Sequence, residues 1–217
     1  MPLWPWHRAR LASGGVPERV LALAETCVAE ATAPWVDVPT RRARLTLIVA
    51  SDATVIVDVA RRLSSLDVPN GPKVARVDLE GVLPPVPARP AKPADRSWWD
   101  DAHRRARAVG AHQAVLVAPD GSVIDGSTAA VWVAEGGVLV TPPAPPAIPS
   151  VSVAYVKSRE VAAGLDVRVE PLSWERFEAG DEAFLTNAFG GAVPVRGRGG
   201  AGFSAVKTLF DEAWGTK

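Results

Sequence analysis

The sequence predicts an α+β protein built from two units, a small N-terminal one over 1–88 and a larger C-terminal one over 89–217. Three observations predict this. Short alternating apolar runs, which suit half-buried strands, are interleaved with longer stretches whose apolar residues recur at helical spacing. Two turn signals, Asp120-Gly121 and Gly136-Gly137, each join two apolar runs and read as hairpins. Between 83 and 93 the stretch "LPPVPARPAKP" reads as an extended, semi-rigid connection.

Element by element, "WPWHRARLAS" reads as a short helix. "VPERVLALAETCVAEA" reads as a stronger one, with Pro17 in its first turn and Val20, Leu21, Ala24, Cys27 and Val28 on one face. The alternation in "RARLTLIVA" (42–50) and "TVIVDVA" (54–60) predicts two strands, and "KVARVDLE" (73–80) a third within the N-terminal unit. "RSWWDDAHRRARAVG" has acids early, bases late and Gly110 as a stop, the pattern of a helix aligned with its dipole. The two hairpins follow. "SVSVAYVKSREVAAGLDV" predicts a helix stopped at Gly164, "LDVRVE" a strand, and "SWERFEAG" a short helix capped by Ser173. "DEAFLTNAFGGAVPV" (181–195) reads as two strands around a turn, with Gly190 and Gly191 leaving backbone bare for either the turn or a ligand. "FSAVKTLFDEAW" is an amphipathic closing helix with Val206, Leu209, Phe210 and Ala213 on one face.

Composition removes several classes of function. With 217 residues and 47% hydrophobic content the chain can bury a sizeable core. Formal net charge is zero, so no electrostatic footprint for nucleic acid or an anionic membrane is visible. One cysteine excludes a disulfide framework and a cysteine-ligated zinc, and His7, His103 and His112 form no HExxH, so no metal is expected. No apolar run reaches the length of a membrane span, and a cytoplasmic location is expected.

For anions, "RGRGGAG" (196–202) lacks both the P-loop lysine and dinucleotide spacing, and reads as a loop. "AIPSVSVAYV" is the better phosphate site: Ser150 and Ser152 open a helix whose first N–H groups and dipole favour an anion, though a serine there is also an ordinary cap. Lysine is scarce. Lys92, between the proline-rich stretch and a helix, lies where the two units meet, and a desolvated lysine in such a cleft can form a Schiff base; a solvated linker lysine is the alternative.

Taken in order, K-x-x-x-R before a helix, a carboxylate ending a D-G hairpin ("DGSVIDGSTAAVW"), "LVTPPAPPAIPSVS", "DEAFLTN" and "GGAVPV" resemble the class IV aminotransferase family. "HRARLA" is similar to that family's N-terminal H-x-x-R-L. The resemblance implies a fold type IV enzyme dependent on pyridoxal 5'-phosphate, a small-molecule amino substrate and a homodimer. Lys92 matches the lysine that carries the cofactor as a Schiff base and moves the proton at substrate Cα. Asp125 matches the carboxylate that keeps the ring nitrogen protonated. Ser150, Val151 and Ser152 match the helix start that holds the phosphate, and Thr186, Asn187 and Ala188 the segment lining the pocket, with Gly190 and Gly191 leaving room for the ring. "KPADR" is closer to the K-x-x-N-R of aminodeoxychorismate lyase than to the GGNY block of branched-chain enzymes, which favours a lyase-like or amino-acid transaminase activity.

The sequence also departs from the family pattern. A strand hairpin that supplies a phosphate-binding arginine is expected before H-x-x-R-L and has no counterpart before His7. Asp125 is one methylene shorter than the family's glutamate, Ala130 replaces an asparagine, and Ala188 replaces a phosphate-binding threonine. Without such a hairpin, "LWPW" at the start is expected to be a greasy exposed end. These departures point to the alternative of a non-catalytic or cofactor-free relative acting as a binding protein.

Overall fold

The computed structural model describes residues 2–35, 43–61, 64–81, 83, 89, 92–93 and 95–215. Most of the proline-rich connection lies outside them. Helix α1 (Trp4–Ser13) and helix α2 (Glu18–Thr32) open the chain, followed by a 3-10 turn (Ala33–Trp35). Strands β1 (Ala43–Val49) and β2 (Val55–Arg61) form an antiparallel ribbon. Val20, Leu21, Ala24 and Val28 of α2 are buried as their spacing predicts, while Cys27 is only half-buried.

Strand β3 (Val74–Asp78) corrects the expected division of the N-terminal unit. It does not join the β1–β2 ribbon. It pairs in parallel with β4 (Gln113–Val117), which pairs antiparallel with β5 (Val123–Gly126) across the Asp120-Gly121 turn. The crossover from β3 to β4 carries helix α3 (Ser97–Ala108), because parallel strands need a long connection. Five further strands form the second large sheet: β6 (Ala130–Glu135), β7 (Val138–Thr141), β8 (Asp166–Val169), β9 (Glu182–Asn187) and β10 (Gly191–Pro194), in the order β10-β9-β6-β7-β8. Helices α4 (Val151–Arg159), α5 (Trp174–Ala179) and α6 (Ala201–Trp214) complete the fold.

The layers follow from strand alternation. On β6, Val131 and Val133 face inward with Val115 and Val117 of β4, giving one core between the two sheets, while Trp132 and Ala134 face a second core. That second core is covered by α1, α4 and α6 through Leu3, Val151, Tyr155, Val206 and Phe210. Ala114 and Leu116 of β4 meet Trp99, Ala102 and Ala106 of α3 in a third. Strands buried on both faces explain why β4 reads as a continuous apolar run. Each large side chain so buried contributes about 1.5–3 kcal/mol.

Three local expectations are corrected. Leu3 is buried and Trp6 packs edge-on against Tyr155 of α4 at 5.0 Å, so "LWPW" docks α1 onto the sheet rather than standing free. Helix α4 stops at Arg159, not at Gly164: Val161 is 89% exposed and gives the next turn nothing to pack on, so 160–164 form turns ending in Gly164 at φ +64°. Of "RGRGGAG", residues 196–200 are the expected loop, but Ala201 and Gly202 already belong to α6. The amides of Gly202 and Phe203 donate to Glu182 at 2.9 and 2.8 Å, so that helix start is occupied by the chain's own carboxylate. None of the described helices is long and apolar enough to cross a membrane.

Candidate functional site

The start of α4 sits on β9 and under α1. Ser150 caps it, accepting from the Val153 amide, and the first N–H groups of the helix have no intrahelical acceptor. Its hydroxyl lies 2.8 Å from that of Ser152, which lies 2.9 Å from that of Thr186, which accepts from Trp132 Nε1 at 2.9 Å. Ser152, Thr186 and Trp132 are fully buried. An indole N–H only donates. If Thr186 then donates to Ser152, and Ser152 to Ser150, the row leaves Ser150 with a proton to offer outward at a helix N-terminus, where an anion is favoured. The side chain of Val151 belongs to the core, so this residue brings only its backbone N–H to the site.

Three consecutive residues draw the rest of the site together. The amide of Ile148 donates to Asp125 Oδ2 at 3.1 Å, the carbonyl of Pro149 accepts from Arg10 Nη1 at 3.2 Å, and Ser150 caps the helix. Asp125 is buried at the end of β5. Its Oδ2 also accepts from Trp99 Nε1 at 3.1 Å and its Oδ1 from the Gly126 amide at 2.9 Å. Burial, partly offset by these donors and by Arg96, pushes its pKa up to about 6.

Arg10 is the residue the sequence reading missed. The expected phosphate arginine was placed in an upstream hairpin, whereas Arg10 of "HRARL" already lies against α4 because Trp6, one turn earlier, anchors α1 on Tyr155. Burial lowers the pKa of Arg10, yet arginine keeps its charge. Among the described residues no carboxylate pairs with it, so a cation stands uncompensated beside a helix N-terminus. His7, on the same helix, has its pKa lowered to about 4 by burial, then by Arg10, then by Lys92. Lys92 is thus close enough to His7 for its charge to act on the imidazole. Its side chain is exposed rather than desolvated.

Asn187 and Ala188 make contacts within the fold. Asn187 Oδ1 accepts from the amides of Phe189 and Gly190, and its Nδ2 donates to Thr128 O, which closes the β9–β10 turn. Ala188 packs at the edge of the second core. Gly190 and Gly191 do not leave open room. A Cβ on Gly190 would meet the Ser64 hydroxyl, and one on Gly191, at φ +73°, would come within 2.6 Å of the Trp214 ring. The bare backbone at this turn therefore lies against the chain itself. Among the described residues no cluster of three or more metal-ligating side chains occurs.

Residues 28–197 match the family model described as amino-transferase class IV. No curated protein matches the chain. Among solved structures, a hypothetical aminotransferase from Mycobacterium tuberculosis in its apo form is 21% identical over 97% of this chain and 81% of its own, with TM-score 0.79. A branched-chain aminotransferase from Thermoproteus uzoniensis is 22% identical over 75% of this chain, TM-score 0.65, and this chain spans only 58% of its length. A putative 4-amino-4-deoxychorismate lyase from Legionella pneumophila is 19% identical over 73% of this chain and 61% of its own, TM-score 0.63. At these identities the likeness is one of fold.

Proposed function

The chain belongs to the class IV aminotransferase family, and from that premise we propose that it is a pyridoxal-phosphate enzyme, an aminodeoxychorismate-lyase-like or amino-acid transaminase. The observation that carries this reading is the convergence at 148–150, where a buried carboxylate, an arginine with no carboxylate partner among the described residues and a serine-capped helix start meet in three residues. The residues fit the cofactor. An uncompensated cation, helix N–H groups and a hydroxyl proton suit a phosphate. A carboxylate offers about four lone-pair sites; three donors meet Asp125, which leaves one for a protonated ring nitrogen.

Pyridoxal phosphate, when bound, supplies a carbonyl that takes an amine and a ring that draws electrons from the substrate's Cα. Arg10, Ser150, Ser152 and the backbone of Val151 would hold the phosphate. Thr186, braced by Trp132, would orient Ser152. Asp125 would hold the proton at the ring nitrogen. The ε-amine of Lys92 would bind the carbonyl and, once displaced by a substrate amine, would take the Cα proton as base and return it as acid. In this reading the site takes Arg10 from α1 and Lys92 and Asp125 from the chain that follows the proline-rich stretch. Asn187 and Ala188 would shape its wall only indirectly. We further propose a cytoplasmic homodimer: Ile48 and Ile56, opposed in register on the open face of the β1–β2 ribbon, are exposed apolar surface that a second copy would cover.

A cofactor-free binding role is favoured by one observation, the exposure of Lys92. The test is turnover with pyridoxal phosphate present, following aminodeoxychorismate cleavage and amino exchange over a panel of donors and 2-oxo acids. Turnover that falls in both Lys92→Ala and Arg10→Ala confirms the enzyme reading. No retention of the cofactor and no turnover of any donor leaves the cofactor-free binding role.

A further inference from the structure

A second site lies apart from the α4 start. The arginines of "RGRGG", which the phosphate site does not use, line a cavity of about 370 Å³ together with Lys73, Arg76, Trp174 and Phe177. Among the described residues that line it are four cations and one carboxylate, Glu178, with Glu175 also acting on Arg76, in a chain whose formal net charge is zero. Arg76 is paired with Asp78, at 2.7 Å. Lys73, Arg196 and Arg198 have no ion pair among the described residues.

The loop backbone and the side chains of Arg76 and Arg198 are held in place. The Arg196 amide donates to Pro72 O at 3.1 Å, tying the loop to the segment that leads into β3. Arg198 Nη2 donates to the carbonyls of Phe177 and Gly180, both at 2.8 Å, and its guanidinium lies 5.3 Å over the Phe177 ring. That of Arg76 lies 5.7 Å over Trp174. Burial depresses the pKa of Arg198 without removing its charge. An arginine stacked on an aromatic face and bound to carbonyls, not carboxylates, is pre-ordered for an anion.

We propose that this cavity binds a small organic anion carrying a flat ring, its acid head on Lys73 and Arg196 and its ring against Trp174. The volume is within the range of small-ligand sites, and aromatic carboxylates and mononucleotides share the required chemistry. The test is calorimetric titration of the full chain with benzoate, AMP and inorganic phosphate. Saturable binding of benzoate or AMP, tighter than phosphate, weakened about tenfold by Lys73→Glu and by Arg196→Glu and unchanged in Arg10→Ala, establishes the site. Benzoate ahead of AMP identifies the carboxylate class, and the reverse the nucleotide class. Both substituted side chains are exposed, so the variants keep the fold. Binding of neither ring probe, phosphate binding as tightly as either, or binding lost in Arg10→Ala and kept in Arg196→Glu overturns the proposal.

Discussion

His7 and Asp125 flank the α4 start and titrate in the same range with opposite effects on stability. Burial raises the Asp125 pKa from 3.8 to about 6, so the fold favours the protonated acid. Its stabilising contribution is complete below 3.8 and is lost as pH rises through about 6. The displacement corresponds to about 3 kcal/mol. His7 is lowered from 6.5 to about 4, so the fold favours neutral imidazole. Its contribution is complete above 6.5 and is lost as pH falls through about 4, amounting to about 2 kcal/mol once screening of a partly exposed group is allowed for. In the wild type the two slopes oppose each other and largely cancel. Asp125→Asn and His7→Gln each remove one. Urea unfolding measured in steps from pH 4 to pH 6.5 should show the wild-type-minus-Asp125→Asn difference falling by about 2 kcal/mol as pH rises. The difference from His7→Gln should rise by about 2 kcal/mol over the same steps. A flat difference for Asp125→Asn across that window would refute the claim that burial governs this carboxylate.

Other substitutions test the framework around the site. Thr186→Val strands the Trp132 N–H in a sealed interior and removes one of the two partners of the Ser152 hydroxyl; it should cost about 1–3 kcal/mol in urea unfolding, with Thr186→Ser recovering most of it. Glu182→Ala removes the acceptor for two amides at the start of α6, and a loss of about 1–2 kcal/mol is expected. Gly191→Ala forces a Cβ into the left-handed region and toward Trp214; thermal unfolding should show a loss of more than about 1 kcal/mol.

Much of the fold is legible in the sequence because local rules and tertiary packing agree. The hairpins at Asp120-Gly121 and Gly136-Gly137 form where their turn residues place them. Ser150 and Ser173 both cap helices. What was not legible depends on distant partners. No local signal tells β3 to pair with β4, 39 residues away in register, instead of with β1 and β2. Gly190 and Gly191 announce a close approach, but only the fold shows that Ser64 and Trp214 make it. For the candidate site, the helix start at Ser150 and the carboxylate at Asp125 were readable as motifs. Arg10 is not legible from "HRARL" alone, because its place beside Pro149 depends on Trp6 docking α1 onto Tyr155.

The most direct measurement concerns Lys92. The purified chain is incubated with pyridoxal phosphate, freed of excess, reduced with borohydride and digested, with Lys92→Ala beside it. If Lys92 carries the cofactor, the reduced adduct is found on the Lys92 peptide and the variant retains no visible absorption. An adduct on Lys73, Lys157, Lys207 or Lys217 instead, or absorption undiminished in Lys92→Ala, contradicts the proposed site.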